Sequence, residues 1–164
     1  MTGVGSVTTA VVVLVLLASY ITWTAGRLDR QHARVDAAWA ALDAQLVRRA
    51  AAARALVPLL PPGPATDRMA ALAHDAVEAG DEGRETVEND LTRALRAVVA
   101  HAPAGAALDE LAAAGVRVGL ARSFHNSAVK DTRSLRFKRM VRALRLAGRR
   151  RIPVFFEIDD TALT

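Results

Sequence analysis

The 164-residue chain contains no cysteine. That absence excludes a disulfide framework, a thiolate nucleophile and any zinc site built on Cys. Aromatic residues are scarce: four Phe, two Trp and one Tyr. β-Branched residues become few after the first 22 positions, while Ala and Leu dominate. That composition favours helices, because Ala and Leu lose little rotamer freedom on entering one. Acidic residues are missing where bases are dense. Between Arg117 and Arg151 there are 12 Lys or Arg against one acid, Asp131, so the segment carries +11 in a chain whose net charge is +5. A chain split this way presents its basic part to something anionic or keeps it as a solvated helix face.

The patterns of catalysis are absent too. His32, His74, His101 and His125 have no second His at i+3 or i+4, and no Glu-x-x-His occurs. Helical two-His sites and di-iron bundles both need such spacings. Ser123, Ser127 and Ser134 lack a nucleophile-elbow sequence, and Ser123 and His125, two apart on a helix, point to different sides. No glycine-rich loop precedes a Lys. The expectation is no catalytic residue, no metal site and no cofactor. An enzyme of unrecognised type would need converging polar groups inside its core.

What the chain does have begins at once. From Val4 to Ala25 there is no charged residue, and about 20 apolar residues suffice for a helix to cross the hydrocarbon core. Val11, Leu14 and Leu17 lie within this run, and Tyr20 and Trp23 near its end, where amphipathic rings favour the membrane–water boundary. A cleaved secretory signal is the competing reading, but it would carry a positive n-region and a shorter apolar core. Arg27, Arg30 and Arg34 follow directly, so the positive-inside rule predicts an outside N-terminus and a cytoplasmic body.

Leu28, Val35, Trp39, Leu42, Leu46 and Leu56 then form one apolar stripe on a long amphipathic helix, with Trp39 as its bulky anchor. Pro58 and Pro61 to Pro64 end it. Asp67 is the expected cap of a short second helix, whose inner face carries Met69, Leu72, Ala73, Ala76 and Val77. After a turn over Ala79 to Gly83, a third helix lines up Val87, Leu91, Leu95 and Val98. A loop near Pro103 leads to a fourth, from about Ala106 to Ala147. Gly115 and Gly119, four apart, suggest a flat surface for close packing. Asp36, Asp43 and Asp90 are candidates for polar contacts with Arg48, Arg49 and Arg122. Phe124 and Asn126 are expected in the bundle interior, Asn126 as a buried amide fixing helix register. Pro153 makes the tail extended.

Three stretches resemble the LemA family of bacterial membrane-anchored proteins: RVDAAWAALDAQLVRRA (Arg34–Ala50), ENDLTRALR (Glu88–Arg96) and RVGLARSFHNSAVKD (Arg117–Asp131). The ending PVFFEID (Pro153–Asp159) is similar as well, and the likeness touches most of residues 27–159. His125 stands where the family has Tyr, and Arg54-Ala55 where it has Pro-Asn. The resemblance implies an anchored helical bundle, in a family with no established enzymatic activity.

In SLRFKRMVRALRLAG, Phe137, Met140, Val141 and Leu144 follow helical spacing, with bases on the other sides. Short loops make neighbouring helices antiparallel, so the fourth returns toward the membrane. Anionic lipid attracts a polybasic juxtamembrane segment by about 1 kcal/mol per nearby base. Arg136, Lys138, Arg139, Arg142, Arg145, Arg149, Arg150 and Arg151 are the candidate lipid-surface residues. Nucleic acid would take the same charge through its phosphates. The combined reading is an all-α protein: a single transmembrane helix (1–25), an antiparallel four-helix bundle with long first and last helices (26–151), and an extended tail (152–164). Its role is that of a non-enzymatic scaffold or adaptor in a bacterial cell membrane. Its partners are anionic inner-leaflet lipids and further copies of itself or another membrane protein.

Overall fold

The computed structural model describes residues 2–138, 141 and 150–159. Among these residues there are four α-helices and no strand: α1 (Thr2–Leu56), α2 (Pro64–Glu78), α3 (Arg84–Val99) and α4 (Ala106–Arg136). The apolar run and the first amphipathic stripe form one continuous helix, because nothing between Ala25 and Leu56 breaks it: no Pro occurs there, and Gly26 is the one Gly. One 3-10 turn, Val57–Leu59, holds Pro58 and ends α1. Pro lacks the N–H that the helix would need and pushes the residue before it toward extended backbone.

α2 starts differently from the expectation. Its N-cap is Gly63, with Pro64 in the first turn and no side-chain cap; Asp67 lies inside the first turn instead. Proline at the first helical position supplies the right φ and has no N–H to leave unpaired, while Asp67 still favours the positive end of the helix dipole. Gly83 precedes α3 with φ +83°, a left-handed conformation that glycine adopts without strain.

The chain forms two compact units. The first comprises residues 1–36 and 128–154, the second residues 37–127 and 155–164. The divisions fall at 36/37 inside α1, at 127/128 inside α4 and at 154/155 in the tail.

In the second unit, the interior is built from α1 after Trp39, from α2 and α3, and from the first part of α4. Leu42, Leu46, Leu56, Met69, Leu91, Leu95, Leu111 and Val118 have no accessible surface, and α2 packs on α3. The expected core residues Leu42, Leu46, Leu91 and Leu95 are thus all there; Val35 is buried too, in the first unit. Phe124 is not, being 61% exposed. Successive helical residues are about 100° apart, and the inward position goes to its neighbour His125, which is buried. At Gly115, one of the two glycines of the expected flat surface, a Cβ would meet nothing within 4 Å. GVRVG is helical, as expected, but no element packs closely on Gly115.

In the first unit, Leu28 on α1 packs with Leu135 on α4 and with Val141. The Thr132 hydroxyl donates to the Gln31 carbonyl at 3.3 Å, and Arg34 pairs with Asp131 at 3.6 Å. The end of α4 therefore lies beside residues 28–34 of α1, just past the apolar run.

Candidate functional site

The apolar run of α1 is long and apolar enough to cross a membrane, and none of its 18-residue apolar window is buried. Val11, Leu14, Leu17, Tyr20 and Trp23 all present large apolar surface outward. A soluble helix hides one face; this one hides none. At its end, the Arg27 guanidinium sits 5.6 Å from the centre of the Trp23 ring, a cation–π contact.

Of the basic candidates, Lys138, Arg150 and Arg151 are exposed. Arg136 is half-buried and engaged with its own chain: it donates to the carbonyls of Arg150 at 2.6 Å and Arg151 at 3.4 Å. It also lies 3.4 Å from Nε2 of the buried His32, whose Nδ1 is 2.9 Å from the Leu28 carbonyl. Arg136 thus ties the chain after α4 to the first unit instead of facing outward. Arg139, Arg142, Arg145 and Arg149 lie outside the described residues.

The second unit holds a charged interior. Arg49 of α1 donates to Glu88 of α3 at 2.5 Å, and further to the Glu88 carbonyl and the Thr92 hydroxyl, each at 3.2 Å. Arg84 lies 3.3 Å from the other Glu88 oxygen and 3.0 Å from Asp43, and donates to the Ala79 carbonyl at 2.5 Å. Two cations and two anions balance. Glu88 has no accessible surface. Burial pushes its carboxyl above the ordinary glutamate value, against the opposing pull of Arg49 and Arg84. Of the polar candidates, Asp43 and Arg49 come together here, whereas Arg48 is exposed and Asp90 pairs with Arg93. Glu88 and Arg84 were missed, although a signal existed. Arg49 falls three residues after Leu46 on the apolar stripe, and Arg84, Glu88, Leu91 and Leu95 share the inner face of α3.

The tail is the second feature that the sequence reading underestimated. Phe156 and Ile158 are buried, in one cluster with Leu42, Leu46 and Val118. Trp39 is half-buried against them, its ring 5.3 Å from Phe156 and 5.4 Å from His125, and its indole N–H donates to Asp81 at 3.2 Å. Asn126 is half-buried, and its amide serves the tail rather than a helix register. It donates to the Phe156 carbonyl at 3.0 Å and accepts from the Phe156 N–H at 2.9 Å.

Among the described residues, no group of three or more His, Cys, Asp or Glu is placed to hold a metal ion. No family model, curated protein or solved structure matches the chain.

Proposed function

We propose that the chain is a single-pass, membrane-anchored, non-enzymatic scaffold or adaptor of the kind the LemA resemblance implies. In this reading the helical bundle is cytoplasmic and the basic C-terminal segment meets anionic lipid of the inner leaflet. The observation that carries it is the uncharged run from Val4 to Ala25, whose 18-residue apolar window is nowhere buried, followed by three arginines within nine residues. Water solvates such a surface poorly, and lipid accepts it. The arginines that follow the run favour a cytoplasmic body under the positive-inside rule. Lys138, Arg150 and Arg151 extend the same sign of charge, and their attraction to anionic headgroups is additive within a Debye length.

The test uses the full chain. In bacterial membranes it should resist alkaline carbonate extraction, with the body open to protease from the cytoplasmic side alone; release by carbonate would overturn the anchor. In proteoliposomes, trypsin cleavage after Lys138, Arg150 and Arg151 should be slower with anionic than with neutral lipid. Equal rates would overturn the lipid contact. Protection that appears only when DNA is added would favour a nucleic-acid surface instead.

A further inference from the structure

Residues 155–159 are held in the second unit as a bound peptide is held. Burial alternates along them: Phe156 in, Glu157 out, Ile158 in, Asp159 out. That is the period of an extended chain. Side chains of the bundle take its backbone. Asn126 closes a paired hydrogen bond on Phe156, as a neighbouring strand would. Glu85 and Asn89, one turn apart on α3, accept the N–H groups of Glu157 at 2.7 Å and Asp159 at 2.8 Å. Arg96, two turns further, pairs with the Asp159 carboxylate at 2.6 Å. Backbone bonds that ignore sequence, alternate apolar pockets and a charge reader at one end are the working parts of an extended-peptide site.

We propose that this groove is a peptide-recognition site that accepts the Phe-Glu-Ile-Asp segment of a second copy, so that copies link by exchanging tails. The segment shown to fit is the chain's own, and every copy carries it. None of its contacts depends on which chain supplies it, which is the condition for exchanging an identical element between protomers. Exchange requires Val141 to leave Leu28 and Leu135 and Arg136 to release the Arg150 and Arg151 carbonyls; residues 137–154, then fully extended, reach at most about 60 Å. In one chain the tail is favoured by its own tether. Copies anchored in one membrane offset that advantage, because confinement raises the effective concentration of the neighbouring tail. The encounter rests on the membrane reading above; the groove does not.

The lack of cysteine makes the test direct. Two full-length variants with different tags, Ile158→Cys in the tail and Val118→Cys in the groove, are co-reconstituted in vesicles and oxidised. A mixed disulfide dimer is expected, with a yield that rises with the protein-to-lipid ratio. Adding Phe156→Ser to the tail variant should lower that yield about tenfold, the scale of losing one buried aromatic. Ala121→Cys, packed against the same cluster, serves as groove variant should Val118→Cys fail to fold. A chain carrying both cysteines reports the groove itself. An internal disulfide there without any mixed dimer would overturn exchange, and no disulfide of either kind would overturn the groove. Failure of exchange in a chain that resists carbonate leaves the anchor standing, and exchange by a chain that carbonate releases would refute the anchor alone.

Discussion

The two ends of α1 are one helix with two patterns of apolar residues. From Val7 to Leu17 its large apolar residues point in every direction and stay uncovered; from Leu42 to Leu56 the leucines fall on one face and are covered completely. The early half is rich in Val and Thr, which restrict a helix in water but not in hydrocarbon, where the backbone must bond to itself. The later half relies on Ala and Leu, with Arg49 set into its covered face. The difference shows that the pattern of apolar residues decides what a helix can lie against, since backbone geometry is common to both halves.

The comparison breaks most visibly under added charge. Val11→Arg with Leu14→Arg should remove about 6 kcal/mol of insertion free energy and release the chain in carbonate extraction. Leu42→Arg should leave it in the membrane but abolish cooperative melting of the bundle. Next comes the charged interior. Glu88→Ala leaves two buried guanidinium groups facing one remaining carboxylate and should cost about 3–5 kcal/mol in chemical denaturation. The pH dependence of Glu88 follows from its raised value in the folded chain. Below the ordinary glutamate value it is neutral folded and unfolded, and its full contribution is present. As pH rises toward the raised value the unfolded carboxyl ionises first, so stability falls, then levels off once the folded carboxyl ionises too. Glu88→Gln should flatten that slope in denaturation curves taken across the window.

Smaller effects sharpen the contrast between covered and uncovered apolar residues. Leu46→Ala should cost about 2–5 kcal/mol while Phe124→Ala stays within about 0.5 kcal/mol, both read from denaturation midpoints. Asn126→Ala removes the paired bond to Phe156 and should cost about 1–3 kcal/mol. Faster amide exchange at Phe156 and Glu157, with the α2–α3 amides unchanged, would locate that loss in the tail.

Much of this was legible from residue spacing. The uncharged run, the proline-marked end of α1, the Leu stripe and the faces of α2 and α3 follow from local pattern and steric rules. Phe124 was misread because hydrophobicity alone does not fix helical phase. His125 is polar, yet it occupies the inward angle because the Trp39 ring lies there to pack against it. The tail's role was hidden for another reason. Nothing local in Pro153 to Asp159 says whether a segment that avoids helix is solvated or docked. That depends on Asn126, Glu85 and Asn89, which are far away in sequence. Glu88 was hard to see because a buried carboxylate is tolerated only with Arg49 and Arg84 in place, a condition that two separate helices, α1 and α3, meet together.

The packing around Trp39 also gives the protein a built-in optical report. Its two indoles have separate surroundings: Trp23 sits 57% exposed at the end of the apolar run, and Trp39 lies against Phe156 and His125. Emission from Trp23 therefore reports what covers the end of the apolar run, whereas emission from Trp39 senses whether a tail is seated. With Trp23→Phe, the remaining fluorescence follows tail seating in unlabelled protein, in real time and at the concentrations of a living membrane.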